Sequence, residues 1–556
     1  MTVLSRFLSR SLRLPPAQTT DVQVQRDLRV PMHDGVTLLA DRYAPPGAAC
    51  PPLVLVRCPY GRRGFWGALA GRLFAERGFQ SVVQSCRGTF GSGGQLDPFG
   101  LAEQDDGLAT VEWMRVQPWY PGSFGTWGPS YLGMTQWALA SLGLPDHKAM
   151  AILVSSTRPR DMIEDGGSFA LETMLEWIDQ VARQERRGAM VRQGLRARPL
   201  RALAGRLPLG QLDRLATGAT APYWQDWLAG GDEFWDRHQF GTGPQRTSAV
   251  IAMIGGWHDI FLPAQLRDYA ALRQAGHDPS LTIGPWRHAD GEAVATWVRS
   301  GLDFLRAELG GQAADGEPSP VRIFVTGAEE WRALPAWPPP ASLRPWYLQS
   351  HGALAMTRPP GVSPPDTYAY DPADPTPSLA GPVGNQGRAR VDNRILEARP
   401  DVLTFTSTQL DASLEVIGVP AVDLHVSSDR QHTDVFARLC EVNAAGQSLN
   451  ICDGLLRLSP GQPEAAADGT RRLRFELWPV AHRFAAGNRL RLQVSSGAHP
   501  RYARNTGTGE SLATATTLVT AQQAIYHDPA RPSAVILPVV TALSTGQTST
   551  LVPGTR

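Results

Sequence analysis

The sequence predicts two kinds of domain: a parallel α/β domain interrupted by a helical cap, and an all-β domain after it. Short apolar runs alternate with helical patterns over residues 1–157 and again over 246–317. Only helical patterns occupy 158–245, and short strands separated by turns fill 318–556. Such alternation is typical of a parallel sheet with helices on both faces. At 556 residues the chain is also too long for a single hydrophobic core.

The α/β pattern opens with a predicted hairpin over 22–42, where apolar residues alternate around Asp34 and Gly35. Helical spacing follows at 101–116 and at 293–309. Continuous apolar runs predict buried strands at 53–60, 79–86, 150–156, 248–257 and 280–286. We therefore expect the strands before and after the cap to share one sheet.

The predicted cap and the predicted all-β half differ in amino-acid composition and in the pattern of their elements. From Arg158 to about Phe240 the sequence is rich in Arg, Leu and Trp and shows no convincing strand. A helical block between strands of one sheet is expected to act as a lid over the strand ends. After about Pro318 a Pro-rich stretch leads into short strands, which predicts a sandwich or jelly roll. The clearest of these strands are at 421–428, 434–442 and 488–496.

The composition is that of an ordinary soluble globular protein, with 42% hydrophobic and 19% charged residues. No apolar run is long enough for a membrane span, and the hydrophobic content argues against disorder. The 53 basic and 52 acidic residues nearly cancel. The charge balance therefore predicts no nucleic-acid partner and no membrane partner.

The cysteines and the first residues indicate a cytoplasmic protein. Five widely spaced cysteines form no CxxC motif or Cys/His cluster, so neither zinc nor a disulfide framework is expected. Near the start, Arg6, Arg10 and Arg13 interrupt the apolar residues, unlike the continuous apolar stretch of a secretory signal. We expect this segment to be a frayed or docked terminus.

The motif Gly128-x-Ser130-x-x-Gly133 runs directly from a short apolar segment into a helical pattern. It is a variant of the G-x-S-x-G turn that carries a nucleophilic serine between a strand and a helix. Small residues suit this turn because neighbouring backbone passes close to a strained serine. The N-terminus of the following helix also favours the negative charge that develops at the reacting centre. The alternative is a glycine-rich loop with an incidental serine.

A nucleophilic serine needs an imidazole base, which a carboxylate orients. In a parallel α/β sheet these partners follow later strands in the order serine, acid, histidine. The predicted strand 248–257 leads into His258 and Asp259, and the strand 280–286 leads to His288. His258 adjoins Asp259 in sequence and is expected to point away from it. The sequence therefore predicts Asp259 as the acid and His288 as the base.

Acyl transfer also needs two hydrogen-bond donors for the oxyanion. The backbone N–H of Tyr131, directly after the serine, supplies one. The second should lie after the early strand 53–60, which points to the hydroxyl of Tyr60. A packed aromatic ring is an equally good interpretation of Tyr60 at this point.

Motifs spread from end to end carry a family resemblance. The first half contains MHDGVTLLADRYAP, VRCPYGR, QSCRGTFGSGG, WGPSYLG, GGWHDIF and IGPWRH. The second half contains VRIFVTGAEEWRALPAWPPP, DVLTFTSTQLDASLEVIG, TDVFARLCEV, LNICDGLLR and SSGAHPRYARNTGTGE. In this set and order the chain resembles the CocE/NonD hydrolases over nearly its whole length.

The resemblance implies an α/β-hydrolase domain with an inserted helical cap, followed by a jelly-roll, galactose-binding-like domain. One departure is Ser85 in QSCRG, where relatives commonly have an aspartate; it affects an expected salt bridge to Arg87 and not the triad. The residues that the resemblance assigns to catalysis are Ser130 (nucleophile), Asp259 (acid), His288 (base), and Tyr60 and Tyr131 (oxyanion donors).

The sequence says less about which residues line the substrate pocket. Leu132 stands where family members that act on amino-acid esters carry an acid, which argues against an amine anchor beside the serine. Phe261 resembles an aromatic acyl-pocket wall of the cocaine-esterase-like members. Other candidates in the cap have a packing or solvated role as the simpler interpretation: Trp177, Glu164, Asp165 and Glu172.

Three functions remain open. The first is a serine esterase acting on a small-molecule ester through an acyl-enzyme. The second is an Xaa-Pro dipeptidyl-peptidase or amide acylase with the same triad, which needs a buried carboxylate in the cap to hold a substrate ammonium. The third is a non-catalytic ligand-binding protein, because jelly rolls often bind carbohydrates. No metal or organic cofactor is expected, and the oligomeric state stays open.

Overall fold

Strands and helices alternate along the chain up to residue 310, and strands dominate after it. The computed structural model describes residues 2–47, 50–186, 188–311, 320–382, 384, 387–461 and 463–540. The predicted domain boundary at 317/318 lies outside the described residues. In chain order the strands are β1 (Gln23–Pro31), β2 (Thr37–Ala44), β3 (Leu53–Cys58), β4 (Gln80–Ser85), β5 (Phe124–Pro129), β6 (His147–Leu153), β7 (Glu164–Asp165), β8 (Ser168–Phe169), β9 (Val250–His258), β10 (Ser280–Arg287), β11 (Val321–Val325), β12 (Glu330–Leu334), β13 (Ser342–Gln349), β14 (Ala353–Ala355), β15 (Asp366–Tyr370), β16 (Leu403–Ser407), β17 (Leu414–Gly418), β18 (Ala421–Ser428), β19 (Thr433–Val442), β20 (Ser448–Leu458), β21 (Arg471–Glu476), β22 (Val480–Phe484), β23 (Arg489–Ser495), β24 (Ala521–Asp528), β25 (Arg531–Pro532) and β26 (Ala534–Val539).

The helices are concentrated in the first 310 residues. A π-helical turn, Gly67–Arg72, joins the second and third helices. Within the part of the chain that the structure describes, no helix is both long and apolar enough to cross a membrane. In chain order the helices are α1 (Val3–Ser11), α2 (Gly64–Trp66), α3 (Leu73–Ala75), α4 (Ala102–Arg115), α5 (Tyr131–Ala140), α6 (Arg160–Ile163), α7 (Leu171–Arg183), α8 (Ala189–Leu203), α9 (Leu212–Thr217), α10 (Pro222–Ala229), α11 (Asp232–Arg237), α12 (Gly243–Arg246), α13 (Leu262–Gln274), α14 (Gly291–Gly310) and α15 (Arg394–Glu397).

Two compact units divide the chain. The first unit contains Met1–Ile163, Ile178–Leu195 and Ala221–Pro318. The second unit contains the remaining segments, Glu164–Trp177, Arg196–Thr220 and Ser319–Arg556. The segment predicted as a helical cap is therefore shared between the two units, and helices α7 and α8 each contribute residues to both.

The first unit contains the parallel sheet that the sequence predicts. Its strands lie in the order β1-β2-β4-β3-β5-β6-β9-β10. β1 and β2 form the expected antiparallel hairpin, β2 runs antiparallel to β4, and the strands from β4 onward are parallel. β3, β4 and β5 are buried at every residue, as strands at the centre of such a sheet must be. The predicted α/β fold is thereby confirmed.

The second unit carries the predicted all-β structure. Strands β13 to β26 form one sheet, whose main path is β15-β24-β18-β26-β13-β14-β16-β23-β19-β20. Neighbours along this path are antiparallel except β14 with β16. β19 is buried at all ten of its residues. The sheet is therefore covered on both faces at this strand, and the all-β prediction is confirmed.

The prediction that the inserted segment is purely helical is wrong at one point. β7 and β8 form a short antiparallel hairpin. Its turn packs on β20 within the second unit: the N–H of Arg457 donates to the carbonyl of Gly166 at 2.8 Å. A Cβ on Gly166 would stand 1.8 Å from the carbonyl oxygen of Leu455. Two-residue strands have no alternation that a sequence pattern could reveal, and this glycine is required by a contact distant in sequence.

Candidate active site

Ser130 occupies the sharp turn between β5 and α5, with φ 58° and ψ −124°. A positive φ is strained for a residue with a side chain, and such strain is typical of nucleophile turns. The backbone is held on both sides of the strain. Its N–H donates to the carbonyl of Leu153 at 2.9 Å, and its carbonyl accepts from the hydroxyl of Ser155 at 2.8 Å. Ser130 itself remains partly exposed at the C-terminal end of β5.

The two glycines of the motif are required by close packing around this turn. A Cβ on Gly128 would lie 2.4 Å from the Cβ of Leu132. A Cβ on Gly133 would lie 2.4 Å from the Cβ of Ser155 and 2.6 Å from its hydroxyl. These distances are far below ordinary van der Waals contact. The spacing that identified the motif in the sequence is therefore explained by the packing of α5 against β5 and the segment after β6.

Asp259 and His288 directly follow neighbouring parallel strands. β9 ends at His258 and β10 ends at Arg287, and these two residues are partners in the strand register. The next residue of each strand therefore reaches the same edge of the sheet. Nδ1 of His288 lies 2.7 Å from Oδ2 of Asp259. The structure thus brings together the predicted acid and the predicted base.

The surroundings fix the orientation of this pair. The Asp259 side chain is fully buried, and its second oxygen accepts from the N–H of Phe261 at 2.8 Å. Because Nδ1 of His288 faces a buried carboxylate, the neutral ring carries its proton there and leaves Nε2 as the basic nitrogen. The ring of Phe261 lies 5.6 Å from the His288 ring and is 2% exposed. Phe261 therefore packs against the base; its role as an acyl-pocket wall stays a prediction.

Tyr131 is positioned by a buried ion pair. Its hydroxyl donates to Oε1 of Glu103 at 2.6 Å, and Glu103 lies 2.8 Å from the guanidinium of Arg57. All three side chains are buried. Burial raises the pKa of Tyr131 well above its usual value and also raises the pKa of Glu103. Since the hydroxyl is bound to Glu103, the group that Tyr131 can offer an oxyanion is its backbone N–H.

Sequence reasoning missed Arg57 and Glu103. Arg57 lies on β3 inside the run LVLVRC, and a lone charge in an otherwise apolar strand is a signal that could have been noticed. Glu103 lies in the first turn of α4, where acids are common because they favour the helix dipole. Nothing in the sequence distinguishes it from an ordinary residue of that turn.

Tyr60 lies two residues beyond the end of β3 and is partly exposed. Its ring stacks on the ring of Trp66 with the centroids 5.8 Å apart. The carbonyl of the preceding Pro59 accepts from the side-chain amide of Gln184 at 2.9 Å. The backbone before Tyr60 and its ring are thus both held by neighbours in the first unit.

The departure at Ser85 has a structural compensation. Arg87 pairs instead with Asp106 at 2.6 Å and with Asp34 at 2.7 Å. The hydroxyl of Ser85 accepts a hydrogen bond of 3.1 Å from Arg62. Arg87, the arginine of the QSCRG motif, therefore forms salt bridges with acids from other elements in place of an acid at position 85.

The remaining candidates of the inserted segment belong to the second unit. Trp177 is partly exposed on α7, and its predicted place in the substrate pocket stays a prediction. Asp165 accepts a hydrogen bond from the hydroxyl of Tyr502. Glu172 pairs with Arg201 at 3.2 Å. Both acids are therefore engaged with side chains of their own unit.

Family models match both halves of the chain. Residues 34–290 match the X-Pro dipeptidyl-peptidase (S15 family). Residues 313–536 match the X-Pro dipeptidyl-peptidase C-terminal non-catalytic domain. The two matches follow the order of the parallel sheet and the all-β sheet along the chain.

Individual relatives resemble the chain over nearly its full length. Cocaine esterase of Rhodococcus sp. (strain MB1 Bresler) is 31% identical, with 93% of this chain and 98% of that protein covered. Among solved structures, an α-amino acid ester hydrolase superposes with a TM-score of 0.79 at 24% identity, covering 95% of this chain and 98% of the other. A CocE/NonD family hydrolase from Staphylococcus aureus gives a TM-score of 0.67 at 19% identity, covering 93% of each chain. These structural likenesses support the fold.

Proposed function

The chain belongs to the CocE/NonD family of serine hydrolases, and we propose that it cleaves carboxylic esters through an acyl-enzyme formed on Ser130. The observation that carries this proposal is the 2.7 Å hydrogen bond between His288 and the fully buried Asp259. This hydrogen bond supports His288 as a base with a fixed tautomer. The first unit that contains this pair also contains Ser130 on its strained turn.

In the acylation step, the hydroxyl oxygen of Ser130 attacks the ester carbonyl while Nε2 of His288 takes the hydroxyl proton. The carbonyl oxygen becomes an oxyanion, and Asp259 stabilises the imidazolium that forms. When the tetrahedral intermediate collapses, the C–O bond to the alcohol breaks and His288 returns the proton to the leaving oxygen. The products of this step are an alcohol and an ester of Ser130.

In the deacylation step, His288 removes a proton from water, and the resulting hydroxide adds to the acyl carbonyl. Breakdown of the second tetrahedral intermediate releases the carboxylic acid and returns the proton to Ser130. In both steps the backbone N–H of Tyr131 and the hydroxyl of Tyr60 donate to the oxyanion. Each such donor is expected to contribute about 10²–10³-fold to kcat.

A dipeptidyl-peptidase activity is the second candidate, because both family matches are to X-Pro dipeptidyl-peptidase models. Such an enzyme must hold the free ammonium of its peptide, which requires an available carboxylate. Asp165 and Glu172, two of the acids that the sequence offers, already bind Tyr502 and Arg201. We therefore expect neither of these two carboxylates to serve as the ammonium anchor.

The decisive experiment compares the wild type with Ser130→Ala on p-nitrophenyl acetate, butyrate and octanoate, with Gly-Pro-p-nitroanilide alongside. We expect the wild type to hydrolyse the esters and leave the anilide, and Ser130→Ala to lose ester turnover. A matched control is Ser141→Ala, which removes a buried hydroxyl from the residue directly after α5. It is expected to keep its activity.

A fluorophosphonate probe provides an independent test of the nucleophile. We expect labelling of the wild type and of Ser141→Ala, and none of Ser130→Ala. Cleavage of the anilide at rates near those of the esters would favour the peptidase. Absence of turnover and of labelling in the wild type would refute the hydrolase site proposed here.

A further inference from the structure

Helix α1 is fixed to the first unit along one side. The hydroxyl of Ser5, which is fully buried, donates to Oε1 of Glu76 at 2.8 Å. Leu8 is 6% exposed on the same side. Arg77 donates to the hydroxyl of Ser9 at 3.2 Å. These contacts hold the helix in a defined orientation, so its other side faces outward in a fixed way.

The outward side carries an unusual concentration of apolar surface. Val3 is 86% exposed, Phe7 is 64% exposed and Leu4 is 39% exposed. Among the described residues, thirteen large hydrophobic side chains are exposed, and three of them fall within these five consecutive positions. Val3 and Phe7 are four residues apart and therefore adjacent on the helix surface. Single exposed apolar residues need no explanation, but a contiguous patch on an anchored helix does.

Basic side chains border this patch. Arg6 and Arg10 are exposed on α1, and the exposed Arg13 lies two residues past its end. The sequence from Thr2 to Thr20 contains no acid. Within the described residues, none of these three arginines forms a salt bridge. The net charge of the whole chain is only +1, so the local excess of three positive charges at α1 is not visible in the overall composition.

From these features we infer that α1 is a peripheral docking site for an anionic phospholipid surface. A helix with exposed Phe, Leu and Val beside unpaired arginines has the arrangement that lies in the plane of a membrane interface. The apolar side chains would enter the acyl boundary while the arginines meet lipid phosphates. Because α1 is only nine residues long, the association is expected to be weak, reversible and sensitive to salt.

The charge distribution favours a lipid surface over a second copy of the chain. Two copies meeting through α1 would bring the same arginines together, and like charges facing each other disfavour such a contact. An anionic bilayer instead offers complementary charge to every arginine at once. Docking would hold the esterase beside apolar esters that partition into membranes. This last consequence rests on the proposed function, whereas lipid binding itself does not.

The test is co-sedimentation of the full chain with vesicles of phosphatidylcholine alone or of equal parts phosphatidylcholine and phosphatidylglycerol. We expect sedimentation with the anionic vesicles at low salt, release at high salt, and none with phosphatidylcholine alone. The double variant Val3→Ser/Phe7→Ser should weaken binding about tenfold or more, since it removes two apolar side chains from the interface. Arg6→Gln/Arg10→Gln should weaken it comparably.

Matched controls separate the patch from general effects of substitution. Val116→Ser/Leu343→Ser removes side chains that are 79% and 63% exposed elsewhere. It is expected to bind like the wild type. Circular dichroism of each variant reports whether the protein is folded, and turnover of p-nitrophenyl acetate in solution tests the catalytic proposal separately. None of these substitutions touches the proposed triad.

Three results would overturn the inference. One is wild-type protein that stays in the supernatant with both kinds of vesicle at low salt. A second is unchanged binding by both α1 variants. The third is a dimer in light scattering that Val3→Ser/Phe7→Ser converts to a monomer, because the patch would then be covered by a second copy.

Discussion

Tyr131 directly follows the strained Ser130, and its hydroxyl donates to the buried carboxylate of Glu103 at 2.6 Å. Glu103 in turn pairs with Arg57 at 2.8 Å. The residue after the proposed nucleophile is thus anchored by a side chain from α4, which fixes its backbone. The contribution of Tyr131 to the reaction is therefore expected to come from its N–H and not from its phenol.

Replacing Tyr131 by phenylalanine tests this division. The substitution leaves the buried Glu103 with one partner fewer, so we expect the free energy of unfolding to fall by about 1–3 kcal/mol. Because the backbone N–H remains, kcat on p-nitrophenyl acetate should change less than ~10-fold. Urea unfolding and steady-state kinetics measure the two effects.

A suitable control for Tyr131→Phe is Tyr120→Phe, whose hydroxyl donates to Asp146 at 2.5 Å. The Asp146 side chain is 14% exposed, against 6% for Glu103, so the loss of this hydrogen bond should cost less stability. A ~100-fold fall in kcat for Tyr131→Phe with unchanged stability would instead assign its phenol to the reaction.

Tyr60→Phe should have the opposite pattern. Tyr60 is partly exposed and its ring stacks on Trp66, a contact that phenylalanine preserves. We expect unchanged stability, an unchanged KM and a kcat lower by about 10²–10³-fold, because the oxyanion loses a donor. Tyr347→Phe in the second unit serves as the control and should match the wild type. Equal kcat for both variants would remove Tyr60 from the oxyanion site.

Gly133→Ala should disturb the serine turn through packing. The new Cβ would lie 2.4 Å from the Cβ of Ser155, so α5 must shift and stability should fall by about 1–3 kcal/mol. Since Ser155 also binds the carbonyl of Ser130 at 2.8 Å, kcat should fall as well.

The double variant Gly133→Ala/Ser155→Gly removes the clash and identifies its source. In a double-mutant cycle, stability should recover relative to the sum of the two single variants. Additive losses would mean that the Gly133 substitution acts through something other than this contact.

The buried carboxyl of Asp268 is expected to make the free energy of unfolding depend on pH. Burial raises the pKa of this carboxyl from 3.8 to about 7, although Thr157 donates to both of its oxygens. The folded protein therefore holds a proton that the unfolded chain releases near pH ~4. The stabilising contribution is complete below pH ~4 and is lost as the pH rises to about 7.

Asp268→Asn should remove this contribution to the pH dependence, which amounts to at most about 1.4 kcal/mol per pH unit. Urea unfolding at a series of pH values between about 4 and 7 measures it. Asp278→Asn, whose parent side chain is 79% exposed, is the control and should follow the wild type. Parallel curves for the wild type and Asp268→Asn would contradict the assignment.

Much of the fold could be predicted because each element shows its own period. The helix predicted at 101–116 is α4, and the strand predicted at 421–428 is β18. The hairpin β7–β8 could not be predicted, since its strands are too short for any period and its glycine meets a strand almost 300 residues away. The division of the inserted segment between two units likewise depends on contacts distant in sequence.

By itself, the sequence determined the order of strands and helices and the placement of Ser130, Asp259 and His288 each directly after a strand. Only the tertiary structure decided that β9 and β10 are neighbours, with His258 opposite Arg287, which brings the acid within 2.7 Å of the base. It also decided that Arg57 and Glu103 meet behind the serine turn and that α1 keeps an apolar side exposed. The physical reason is that periodicity specifies which face of an element is buried, whereas the partner against that face is fixed by packing and register.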